Sequence, residues 1–253
     1  MLALILFGGG LMRTAFSPLQ EAAKLDLKLS DFSVSLVQGL ATGAPIALAS
    51  IPLAWVIDHG RRVRLLMALM AVCVAGALWT AFAGSLSALF LARVLSALGA
   101  SCALPVIISL SADLCAPDRR GRAIVVMALG SYAGTAAAFA IGGGLMAWLA
   151  VHPLTALGGM APWRGAHLLI GLAGTVLMAP LPLLREPIRH EVERTSAALG
   201  PTVRAIWAKR RFLAPLFVGQ IGVTMADTAA AIWATPVLIR NYHRQPSEFA
   251  VWM

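Results

Sequence analysis

The chain reads as an all-α polytopic membrane protein, and three observations predict that class. Hydrophobic residues make up 59% of its 253 residues and charged residues 12%. Its mean hydropathy is +0.82, and two consecutive runs, 32–57 and 65–92, carry no charged residue. A helix needs about 20 residues to cross a hydrocarbon core of about 30 Å, so each run suffices. Between them stands a knot of charge, Asp58-His59-Gly60-Arg61-Arg62-Val63-Arg64. A tight cationic turn joining two spans belongs on the cytoplasmic face, where Lys and Arg near span ends are retained.

The first span covers residues 1–20, apolar apart from Arg13, and begins at or before Met1. Arg13 interrupts the apolar core that a signal peptide would need, and no small-residue cleavage pattern follows. The polar stretch Glu21 to Asp31 carries two lysines against three acids and suits the outer face, with Ser30 as cap of the next helix. The second span, Phe32 to Ile57, holds Gly39, Gly43, Pro45 and Pro52, tolerated where neighbouring helices re-satisfy the backbone. A third span runs Val63 to Ala83, Gly84 to Ser87 make an outer turn, and a fourth runs to Ala112, closed by Asp113.

A second cytoplasmic loop, Cys115 to Arg122, leads to a fifth span, Ala123 to Ala150, whose Gly130-xxx-Gly134 and Gly142-Gly143-Gly144 permit close helix packing. The sixth span fills Gly165 to Leu184. Arg185 to Arg211 form the longest loop, with room for amphipathic cytoplasmic helices broken at Gly200-Pro201. The seventh span runs Phe212 to Ile239, and Ser247-Glu248-Phe249 opens another helix that reaches Met253. Three units follow: a six-helix bundle over 1–184, a cytoplasmic basic loop over 185–211, and helix 7 with the start of helix 8 of an incomplete second bundle over 212–253.

Loops assigned to the inside hold three, three and seven Lys or Arg residues, against five outside. That asymmetry puts the amino terminus in the cytoplasm of a multi-pass protein of a bacterial-type inner membrane. The net charge of +9 and pI of about 10.7 come from these loops, so no nucleic-acid partner is expected. Cys73, Cys102 and Cys115 lie in or beside apolar runs as packing residues. His59, His152, His167, His190 and His243 do not cluster, so no metal is expected. No nucleophile and base stand together and no phosphate loop is present, which argues against an enzyme or a cofactor.

Charges inside spans carry the functional signal, because each costs at least about 2.5 to 3.5 kcal/mol at the bilayer centre. Three qualify: Arg13, Arg93 and Asp227. Arginines keep their charge, so a pocket shared by Arg13 and Arg93 would attract a carboxylate or phosphate through bidentate hydrogen bonds. The alternative is that one snorkels or each pairs internally. Asp227 either carries a coupling proton, its pKa raised by burial, or serves as a structural partner. Asp58 and Arg62 are four apart, so a helical turn would bring them together, and Asp113 ends the fourth span on the same face. These three form an ionic lock, or the arginines only anchor the topology.

The residues together resemble the major facilitator superfamily. Ala54-xxx-Asp58-xxx-Arg62 followed by Arg64 is similar to that family's signature between helices 2 and 3, with Ala54 at the first glycine position and Gly60 displaced. Arg93 with Gly99, Pro105 and Asp113 resembles its Arg-bearing fourth helix, and Trp163-Arg164 and Arg185-Glu186-Pro187 also fit. Ser30-Asp31-Phe32-Ser33-Val34 recurs 217 residues later as Ser247-Glu248-Phe249-Ala250-Val251, the offset that two six-helix halves would give.

The resemblance implies a secondary carrier moving a small organic, anionic solute by rocking of two bundles. Arg13 and Arg93 would bind substrate, Asp58, Arg62 and Asp113 would form the cytoplasmic gate, and Asp227 is the coupling candidate. Spinster-like and organic-anion branches match the two arginines, while Met12 and Ala100 stand where those relatives carry acids. Proton coupling would then fall to Asp227 or be absent. The likeness covers only the first half of such a carrier and a little more. The alternative is a truncated or non-transporting remnant or scaffold, and a carrier ending at Met253 would need a partner or second copy.

Overall fold

A computed structural model describes residues 1–153, 159–189 and 199–243. Seven helical stretches among them are long and apolar enough to cross a membrane. The first joins α1 (Leu2–Thr14) to α2 (Phe16–Asp26). The second joins α3 (Asp31–Ser35), a π turn over Leu36–Leu40 and α4 (Ala41–His59). The rest are α5 (Arg62–Phe82), α6 (Leu86–Leu114), α7 (Arg120–Val151) after a 3-10 turn, α8 (Pro162–Met178) with a closing 3-10 turn, and α10 (Arg210–Tyr242). A short α9 (Leu199–Ala208) precedes the last.

Several boundaries differ from the sequence expectation, each for a local reason. The first span does not stop at residue 20 but continues as helix to Asp26, because Glu21, Ala22, Ala23 and Lys24 favour helix and Glu21 finds a cationic partner. It is interrupted at Ala15, where Pro18 removes an N–H and its ring crowds the carbonyl of Thr14. Gly200 and Pro201 lie within α9, and the residues before Leu199, where an expected break would show, lie outside the described residues. The last span runs past Ile239, so Arg240 lies in the final turn of α10. Ser30 caps α3 as expected, its Oγ accepting from Ser33 N at 3.1 Å. The segment opened by Ser247, and so the second copy of the repeat, lies outside the described residues.

Small residues set the tightest crossings. The carbonyls of Ala3 and Phe7 on α1 lie against Gly130 and Gly134 of α7, where a Cβ would collide with them. On α6, a Cβ at Gly99 would stand 2.6 Å from the Cys73 amide of α5. One apolar cluster gathers Leu66, Met70, Ile107 and Leu110 toward the Asp58 end of the bundle. A second gathers Phe16, Leu19, Leu89 and Trp163 toward the Asp26 end. The second span and α10 each bury only 11% of their apolar windows, so both present wide apolar faces outward.

Candidate functional site

Two polar constellations occupy opposite ends of the bundle. At the Asp58 end, Arg62 opens α5 and sends Nη1 across to Asp113 Oδ2 on α6 at 2.5 Å, and to the carbonyl and Oγ of Ser109 at 3.2 Å each. The two charged side chains are 4% and 8% exposed, so the pair is shielded from water. Asp58 does not join them. Gly60 is extended (φ −91°, ψ 178°), which ends α4 and puts Asp58 and Arg62 on separate helices, removing the helical turn that their spacing suggested. Asp58 is exposed, and among the described residues its carboxylate makes no hydrogen bond or ion pair.

Glu186 and Arg189, which follow α8, complete this end. Glu186 accepts from the backbone N–H groups of Arg62 (3.0 Å) and Val63 (2.9 Å), covering the open amino end of α5. Arg189 donates to the carbonyls of Ile57 (2.9 Å), Asp58 and Gly60 (2.6 Å) at the carboxyl end of α4. An acid on a helix start and a base on a helix end each match the sign of the terminal dipole. Both residues stand in the basic stretch after the sixth span, and only their tertiary placement reveals what they meet.

Toward the other end lie Arg13 and Arg93. Arg93 is 2% exposed; its Nη2 donates to the Arg13 carbonyl at 2.8 Å, beside the interruption in the first span, and to Gln38 Oε1 at 3.5 Å. Its guanidinium also lies over the Phe16 ring, 5.3 Å from the centroid, while Nε has no partner among the described residues. Arg13 is exposed, and its side chain makes no hydrogen bond or ion pair among the described residues. Arg93 meets Arg13 through the Arg13 carbonyl, and no acid among the described residues pairs with either guanidinium. The structure thus brings Arg13 and Arg93 together. Asp227, exposed on α10, is not brought to them and has no hydrogen-bond or ion-pair partner among the described residues.

Neutral amides extend the Arg93 cluster. Gln38 Nε2 donates to Ser17 Oγ at 3.1 Å and to Gln20 Oε1 at 3.0 Å, and Gln20 Nε2 donates to the carbonyl of Ile232 on α10 at 2.6 Å. Beyond them, Arg240 of α10 forks onto two carboxylates: Glu21 at 2.7 and 3.1 Å, and Asp31 at 2.7 and 3.2 Å. Lys24 adds a 2.7 Å contact to Asp31, and Arg164 a 3.1 Å contact to Asp26. So α10 is fastened to the first and second spans at their Asp26 end, while residues 203–212 and 214–230 of α9 and α10 remain exposed.

His167 on α8 is fully enclosed between Phe16 and Trp163, and neither ring nitrogen has a partner among the described residues. A groove of about 490 Å³ separates the second span from α10. Its walls, among them Ile221, Met225 and Trp233, are mostly apolar, and neither arginine reaches it.

The family model described as Major Facilitator Superfamily matches residues 2–252. No curated protein matches the chain. The fold is similar to crystal structures of a bacterial homolog to the human lysosomal transporter Spinster. The inward-facing, unoccupied form has a TM-score of 0.84 at 24% identity, covering 99% of this chain and 57% of that one. The inward-facing, occupied form has a TM-score of 0.83 at 24% identity, covering 99% and 55%. The chain therefore spans a little over half the length of the solved structures it resembles.

Proposed function

The chain belongs to the major facilitator superfamily, and from that membership we propose that it carries a small organic anion across a bacterial-type inner membrane, with its amino terminus in the cytoplasm. One observation carries the anion: Arg13 and Arg93 share a site inside two apolar spans with no acid among the described residues to neutralise them. Two uncompensated cations in low dielectric favour a negatively charged guest, and a guanidinium fork suits a carboxylate. Arg13, being exposed, makes first contact, and Arg93 completes the grip from behind.

In this reading the Asp58 end faces the cytoplasm. Arg62, Asp113 and Glu186 brace the inner corner of the third and fourth spans, Arg189 ties in the end of the second, and the Asp58 carboxylate stands free to meet a gating partner. The Arg240 fork closes the opposite, outer end, so the arrangement supports an inward-open state. Carriage needs a second bundle rocking against the first. The exposed faces of the second span and α10 are where further helices of this chain, a partner or a second copy would lie. Asp227, which has no hydrogen-bond or ion-pair partner among the described residues, is the coupling candidate in this reading.

The test is uptake into proteoliposomes of a panel of radiolabelled carboxylates, with wild type beside Arg93→Ala. Uptake of at least one member, lost in the variant, is the expected result. A protein that holds a membrane partner but moves no member of the panel would favour the scaffold reading.

A further inference from the structure

Pro236 sits four residues after Ile232 inside α10 and has no N–H, so the Ile232 carbonyl lacks its regular intrahelical donor. Gln20 supplies that donor from α2 at 2.6 Å. Behind it the donors and acceptors run one way: Arg93 to Gln38 Oε1, Gln38 Nε2 to Gln20 Oε1, Gln20 Nε2 to Ile232. Both amides are buried, at 0% and 5% exposure, so each orientation is dictated by its neighbours rather than by water. The start of the chain is a guanidinium, which can only donate, and its end is a carbonyl, which can only accept.

We propose that Gln38 and Gln20 are positioning residues that tie the state of Arg93 to the seating of α10 on α2. This rests on the reading that Arg93 binds an anion. An anion on Arg93 competes for Nη2, and its oxygens repel Gln38 Oε1. Turning the Gln38 amide offers the anion an N–H instead. The turned amide then aims oxygen at Gln20 Oε1, so Gln20 must turn as well. A turned Gln20 sets its oxygen against the Ile232 carbonyl, and α10 is pushed off α2. Binding thus loosens the closed end through two amide rotations, and by reciprocity a seated α10 holds Arg93 away from its ligand.

The test needs no solute. Spin labels at Leu25→Cys and Val223→Cys, in a Cys115→Ser background, report the spacing of α10 from α2 in the full chain by pulsed electron resonance. Pro236→Ala favours the helix and restores an N–H to Ile232, so loosening in it isolates the Gln20 tie, while Gln38→Glu, which leaves Gln20 and Pro236 in place, isolates the relay behind that tie. The relay predicts that Pro236→Ala and Gln20→Leu each raise the separated fraction about fivefold, as loss of one net hydrogen bond implies. It also predicts that the two together add nothing.

Gln38→Glu keeps an acceptor for Arg93 but cannot donate to Gln20, and is expected to separate the helices as far. Unchanged spacing in Pro236→Ala, additive effects in the double variant, or wild-type spacing in Gln38→Glu would each overturn the relay. These readings do not depend on uptake, so failure of the anion reading would be seen separately, in the proteoliposome assay.

Discussion

Arg62 Nη1 stands 2.5 Å from Asp113 Oδ2, joining the first turn of the third span to the last turn of the fourth. Both side chains are nearly sealed from water, so the pair matters more for what its loss exposes than for its own net contribution. Asp113→Ala should destabilise by up to about 3 kcal/mol, because it leaves the buried guanidinium with only Glu186 Oε1, 3.5 Å from Nε, as counter-charge. Thermal unfolding of the purified protein in detergent checks this, and a variant as stable as wild type would contradict it.

Asp58→Asn should leave the same unfolding midpoint close to wild type. The carboxylate is exposed and does not touch Arg62, and substitutions away from such features usually stay within about 0.5 kcal/mol. The pair of substitutions separates a carboxylate that braces the corner from one that merely sits near it.

Glu186→Ala should cost about 1 kcal/mol, the usual value of a helix cap, since two N–H groups of α5 lose their acceptor. Hydrogen exchange at Arg62 and Val63 gives the local readout, and both amides should exchange faster in the variant.

His167→Phe should be neutral or stabilising, by up to about 3 kcal/mol. The ring is enclosed between Phe16 and Trp163 with two unsatisfied nitrogens, and an apolar ring of similar size removes that burden. A marked loss of stability would mean that a bound water or solute satisfies the imidazole.

How much of this was legible beforehand differs residue by residue. Uncharged runs longer than a bilayer announced the spans, and a serine before a polar-to-apolar switch announced the Ser30 cap. Arg62 with Asp113 could be paired because both close spans on one face. Asp58 and Arg62 stand at i and i+4, but that spacing implies contact only if the helix is unbroken, and Gly60 breaks it.

The amides of Gln20 and Gln38 carry no charge and interrupt no pattern, so nothing in an apolar run sets them apart. Pro236 does identify a freed carbonyl four residues earlier, but which side chain reaches it depends on how α10 meets α2. Arg240 falls one residue beyond a span read as ending at Ile239, whereas in the structure it lies in the last turn of α10 and meets two carboxylates on neighbouring spans.

The claim at the centre of this account is that the Arg13 and Arg93 pair recognises negative charge. The most direct measurement is the unfolding midpoint of the purified chain with a panel of small carboxylates and their neutral amide analogues, repeated in Arg13→Gln and Arg93→Gln. Ligand at a hundred times its dissociation constant stabilises by about 2.7 kcal/mol, which is well within reach of such an experiment. The expected result is a shift with at least one carboxylate, none with its amide, and none in either variant. Equal shifts with the neutral analogues, or shifts that survive in either variant, would contradict it.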